Sequence, residues 1–145
     1  MGFTIYVSSL PNDPPAEFER ALVERVLGPI AWEVDGDWWN LRGREEGERL
    51  AEVSIRDTPL IHGFCIHRPP SYDYLPKLYD ALFEIMRQTR TFLFWPAPDG
   101  GGPDYCVADA ALIPPLVAAF GHYMGKPVLL ASGADIEPAI RASFA

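Results

Sequence analysis

Two stretches of the chain bring chemically capable side chains close together. HGFCIH sets Cys65 between His62 and His67, while FLFWPAPDGGGPDYCVAD, residues 92–109, gathers a Trp, three consecutive glycines, a Cys and three carboxylates. A thiol beside an imidazole is the pairing of a nucleophile with its base, provided a third group orients the imidazole. Three His and Cys side chains converging on one point would instead suit zinc. A run of glycines can cradle phosphate when its N–H groups open onto a helix N-terminus.

The elements that must position these groups argue against each chemistry in turn. On a strand, His62 points with Phe64 and Ile66, whereas Cys65 and His67 point the other way, so the three cannot share a metal. Cys65 and His67 do share a face, but strand residues two apart sit about 6–7 Å from each other at Cα, which makes a direct hydrogen bond awkward. Their orienting group would have to be Asp109 or Asp104 from a neighbouring strand, and structural or surface roles are the expectation. The glycine run is followed by Asp104, Tyr105 and a strand, contains no Lys, and carries Asp99 and Asp104, which would repel an anion. It reads as a turn between strands. GxSxG, HExxH, GxGxxG and P-loop patterns do not occur, and neither a metal nor a cofactor is expected. Cys65 and Cys106 each fall inside a strand-like run with no CxxC spacing, so both are expected to be buried free thiols.

Strand periodicity begins at Phe3–Ser9, where Phe3, Ile5 and Val7 alternate with Thr4, Tyr6 and Ser8. Asp13 and Pro14 then predict a helix over 14–27 with Phe18, Leu22 and Val26 as its stripe, closed by Gly28-Pro29. AWEVDGDWWNLR predicts a hairpin around Asp35-Gly36. In LAEVSIRD, Ala51, Val53 and Ile55 share one face of a half-buried strand, and LIHGFCIHR suits a more central one. Leu75, Leu78, Tyr79, Leu82, Ile85 and Met86 have helical spacing, so a helix is predicted over 74–88, beginning near Asp73 with Pro76 in its first turn. TFLFW and DYCVA make two strands around the glycines. A third helix is expected over 114–124, ending at Gly125, and KPVLLAS is a short apolar strand broken at Gly133. A last helix over 135–144 would carry Ile136, Ile140 and Phe144 on one stripe, with Asp135 as its cap. The sum is an α+β fold, a single globular domain over residues 1–145 whose mixed, largely antiparallel sheet is covered by about four helices.

The 145 residues carry 20 acids against 12 bases, a formal charge of −8, which opposes binding to nucleic acid, since that affinity comes largely from Lys and Arg neutralising phosphates. Anionic membranes are disfavoured for the same reason. The acidity is uneven: residues 1–57 hold 12 acids and 6 bases, and residues 58–145 hold 8 and 6. A partner steered by charge would be basic and would meet the first part. There is no long apolar run and no basic leader, so the chain reads as cytoplasmic.

Trp38 and Trp39 are adjacent on a strand and must point to opposite faces. Burial of both rings, the second under a helix, is the expectation; the alternative is an exposed ring beside acids, an anchor of the kind interfaces use. The candidate partner-binding residues are therefore Asp35, Asp37, Trp38, Trp39, Glu45 and Glu46, with Tyr72, Asp73 and Tyr74 at a helix start as a second set.

The TIYVSS start followed by a helix, the TFLFWP strand opening a short-looped pair, and the closing GKPVLLASGADIEPAIRASF, a short strand running into a terminal helix, give a layout that resembles the small acidic immunity proteins bacteria encode beside polymorphic or type VI secreted toxins. That resemblance implies a non-enzymatic inhibitor that binds a cognate, basic toxin. Two other readings stay open: a small enzyme using Cys65 or His67 with a carboxylate, and a ligand-binding or scaffold domain of a larger assembly.

Overall fold

The computed structural model describes residues 3–11, 16–42, 49–68, 76–96 and 104–143. The period-two run forms β1, Phe3–Ser9, and a two-residue strand β2, Phe18–Glu19, leads directly into α1, Arg20–Leu27. The hairpin comprises β3, Ala31–Asp35, and β4, Trp38–Arg42. It is followed by β5, Arg49–Ser54, β6, Leu60–Ile61, and β7, Gly63–Arg68. Helix α2, Pro76–Gln88, precedes β8, Thr91–Phe94, and β9, Tyr105–Val107. The chain continues through α3, Ile113–Phe120, and β10, Pro127–Leu129, to α4, Ile136–Ser143.

Eight strands make one sheet in the order β10-β9-β8-β1-β7-β5-β4-β3, and β2 pairs with β6 apart from it. Every neighbouring pair in the large sheet is antiparallel except β9–β10, so the fold is α+β with a mixed, largely antiparallel sheet. β7 is paired on both sides, by β1 and β5, which agrees with its mixed apolar run. β8 and β9 pair directly, Leu93 opposite Cys106 and Phe94 opposite Tyr105, so the glycine-rich segment links adjacent strands; the glycines themselves lie outside the described residues.

Alternation along the strands divides the core in two. Ile5, Val7, Trp39, Leu41, Ala51, Val53, Phe64, Ile66, Leu93 and Cys106 face one way and pack with Val23 and Leu27 of α1, Leu78, Leu82 and Ile85 of α2, and Ile136 and Ile140 of α4. On the other face, Phe92, Tyr105 and Val107 pack beneath Leu112 and Leu116, with Phe120 at the margin, so α3 covers only the β8–β9 end of the sheet. No described helix is long and apolar enough to cross a membrane.

Four expectations are corrected, the first by long-range pairing and the other three by local backbone geometry. Helix α1 starts at Arg20, not near residue 14, because Phe18 and Glu19 pair with Ile61 and Leu60 and the Arg20 N–H donates to the Pro59 carbonyl. Asp13 and Pro14, expected to open it, lie outside the described residues, as does Asp73 for α2. The hairpin loop is Gly36-Asp37 rather than Asp35-Gly36: Asp35 pairs with Trp38, and Gly36 takes the positive φ of +56° at the first central position, the pattern of a type II′ turn. Helix α3 ends at Phe120, where Gly121 adopts a φ of +52°, four residues before Gly125. Ser132, not Asp135, is the cap before α4; its hydroxyl accepts from the Ala134 N–H while the Asp135 carboxylate reaches back to the Ser132 N–H at 3.2 Å, a reciprocal box that occupies two otherwise unpaired donors.

Candidate functional site

The sheet face opposite α1, α2 and α4 is covered at one end by α3 and left without a helix among the described residues from β1 to β3. Its side chains follow from alternation: Thr4, Tyr6 and Ser8 on β1, Cys65 and His67 on β7, Glu52 and Ser54 on β5, Trp38 and Asn40 on β4, and Glu33 and Asp35 on β3. None of them belongs to either core.

Aromatic rings mark both ends of this face. Trp38 is 39% exposed and stacks on the His67 imidazole, with ring centroids 5.5 Å apart and planes 16° from parallel. Thr4 fixes that imidazole from the far side, its Oγ1 lying 3.0 Å from His67 Nδ1. At the other end Tyr6, 37% exposed, stacks on Phe94 with centroids 5.0 Å apart. The expectation that a helix would cover the second Trp is therefore corrected: Trp39 is 1% exposed in the core, and Trp38 sits on the open half. The reason is coverage, since α3 is too short to reach β4 from its place over β8 and β9. Of the two candidate anchors, only Trp38 presents its ring to solvent.

Arg20 holds the hairpin that carries Trp38. Its guanidinium lies 5.0 Å over the Trp39 ring, donates to the Gly36 carbonyl, and pairs with Glu24 and, at 3.8 Å, with Asp57. One cation thus ties α1, the hairpin turn and the turn after β5 together. Asp35 and Asp37 are exposed at this turn beside Asp57, so the hairpin tip near Trp38 is acidic. Glu45, Glu46, Tyr72, Asp73 and Tyr74 lie outside the described residues.

Cys65 lies between the two aromatic ends and is half-buried rather than buried; Cys106 is buried, and both are free thiols. Cys65 Sγ is 4.0 Å from His67 Nε2 and 3.9 Å from the Ser54 carbonyl. Burial pushes the Cys65 thiol above its ordinary value, and the contact with Ser54 offsets this only in part. An activated nucleophile needs the opposite shift. Nor do the expected orienting acids reach the pair. Asp109 accepts from the Ala111 N–H and Asp104 from the Lys126 N–H, at the ends of β9, while β8 and β1 separate β9 from β7 by about 14 Å. Among the described residues no cluster of three His, Cys, Asp or Glu could hold a metal.

A shallow depression of about 300 Å³ opens beside Cys65 over β1 and β7. Tyr6, Phe94, Ser8 and Ser54 line it together with Arg56 and His62. His62 stands at a bend before β7, outside the strand alternation, and lines the same depression as Cys65. A second cleft, of about 520 Å³, lies at Arg20, but its cation is already held by Glu24 and Asp57.

Tyr6, Phe94, Ser54 and Arg56 were not singled out by sequence reasoning. The signal available was an aromatic residue at a position of β1 that alternation assigns to the polar face. Comparison with protein-family models, with curated proteins and with solved structures finds no match to this chain.

Proposed function

We propose that this protein is a non-enzymatic inhibitor that binds and neutralises a cognate secreted toxin, a basic protein, through the bare half of its sheet, and that it does so in the cytoplasm. The observation that carries this reading is the pair of exposed rings, Tyr6 and Trp38, displayed on a sheet half that no described helix covers. Trp and Tyr are among the residues that most often supply binding energy at protein interfaces. The acidic hairpin tip beside Trp38 and the formal charge of −8 favour a basic partner by steering its approach. The raised thiol of Cys65 and the distance of Asp104 and Asp109 count against the Cys–His enzyme reading.

The test is co-expression with a basic secreted toxin encoded by a neighbouring gene, identified by affinity capture of the tagged full chain. The wild-type protein is expected to restore growth and to elute with the toxin as a complex of defined mass by light scattering, and Trp38→Ala is expected to lose both effects while remaining folded. Failure of the folded wild-type protein to associate with that toxin would overturn the proposal.

A further inference from the structure

We infer that the depression over β1 and β7 is a binding site for a carboxylate carried on a flat apolar ring. Three features converge there. Tyr6 and Phe94 form a stacked platform at its wall, with planes only 13° apart, which offers a flat apolar surface for a ring. Arg56 and His62 are the titratable side chains at its rim besides Tyr6 and Cys65, and among the described residues no Asp or Glu lines it. In a chain of formal charge −8, a depression free of carboxylates and bordered by a guanidinium is a local reversal of sign. Arg56 makes no hydrogen bond or ion pair among the described residues, so its five donors are available to a planar anion that it can grip with two parallel bonds. The Ser54 side chain adds a hydroxyl on the same wall, whereas the Ser8 hydroxyl donates to the Ser9 carbonyl.

The backbone makes room for the ligand. Gly63 lies across from Ser8 and lines the depression without a side chain. β1 passes so close there that a Cβ on Gly63 would sit 2.9 Å from the Val7 carbonyl oxygen. Val7, Ile61 and Phe64 complete the lining, and the ring platform stands beside them. Two sources share the required chemistry: a free aromatic acid, and the C-terminal aromatic residue of a polypeptide, whose α-carboxylate adjoins its ring. This inference shares Tyr6 with the toxin-inhibitor reading but does not rest on it, because it concerns a small ligand on the isolated protein and makes no use of Trp38.

The experiment uses the purified full chain and follows backbone amide resonances of Tyr6, Ser54 and Gly63 during titration with 3-phenylpropionate, with its neutral amide 3-phenylpropionamide, and with the peptide Gly-Gly-Gly-Phe bearing a free C-terminus. The acid is expected to shift these resonances and to bind about tenfold more tightly than the amide, as one charge-assisted hydrogen-bonded pair would give. Arg56→Gln, an exposed change that leaves the fold intact, is expected to erase the preference for acid over amide. Phe94→Ala is expected to weaken acid and amide alike. Tighter binding of the peptide than of the free acid would assign the site to a chain end, and the reverse order to a small molecule. Equal binding of acid and amide, a preference that survives Arg56→Gln, or no shift with any of the three probes would overturn the inference.

Discussion

The pair Trp38→Ala and Trp39→Ala tests the division of the sheet into a covered and a bare half. Trp39 is 1% exposed, lies opposite Val53, donates its indole N–H to the Gly36 carbonyl at 3.3 Å and carries the Arg20 guanidinium over its ring. Truncating a buried Trp removes its transfer free energy and leaves a cavity, a loss of about 4 kcal/mol. That is a large share of the roughly 5–15 kcal/mol by which a domain of this kind is stable. Trp38 is 39% exposed and its main packing partner is the His67 ring, so its removal should cost about 1 kcal/mol, the worth of one aromatic stack. In urea, with a slope of about 2 kcal/mol per M, the unfolding midpoint should fall by about 2 M for Trp39→Ala and by about 0.5 M for Trp38→Ala, with unchanged slopes. Intrinsic fluorescence and circular dichroism should report the same midpoints. Midpoints that fall equally would mean that both rings are buried, and the bare half of the sheet, with the function built on it, would have to be abandoned.

Reversing the acidic tip with Asp35→Lys and Asp37→Lys should slow association with a basic partner about tenfold at low salt and leave dissociation nearly unchanged, read by surface plasmon resonance; a change confined to dissociation would deny a steering role. Gly133→Ala should destabilise the fold by about 2–3 kcal/mol in denaturant unfolding, because its Cβ would lie 2.6 Å from the Asp80 Cα, whereas Gly28→Ala, which faces open space, should be nearly neutral. Burial pushes the Cys106 thiol from its ordinary 9.0 up to about 12, so the unfolded chain loses that proton first. Stability held below pH 9 should then fall by about 1.4 kcal/mol per pH unit as pH rises toward 12, and Cys106→Ala should remove that part of the slope in unfolding curves measured across this range. Cys65, also raised but half-buried, should react with a thiol probe at pH 7.5 faster than Cys106 and more slowly than free cysteine, and a Cys65 rate above that of free cysteine would reopen the enzyme reading.

Much of this architecture was legible along the chain because local periodicity carries it. The alternation of Ile5 and Val7 with Thr4, Tyr6 and Ser8, the shared face of Ala51, Val53 and Ile55, the helical spacing of Leu78, Tyr79, Leu82, Ile85 and Met86, and a hairpin at Gly36 all reappear in the structure, since each reflects which side chains a two- or 3.6-residue repeat can bury together. Adjacency of Trp38 and Trp39 on one strand likewise dictates that they face opposite ways. What the chain alone did not decide was everything set by partners distant in sequence. Phe18 and Glu19 leave the expected helix because Leu60 and Ile61 offer them a strand edge, and His62, at a bend before β7, borders the same depression as Cys65. Only the tertiary structure determined that α3 stops over β8 and β9, which leaves Tyr6, Trp38, Cys65 and His67 on an open face; coverage depends on where a helix is placed across the sheet, and periodicity within one segment holds no record of that placement.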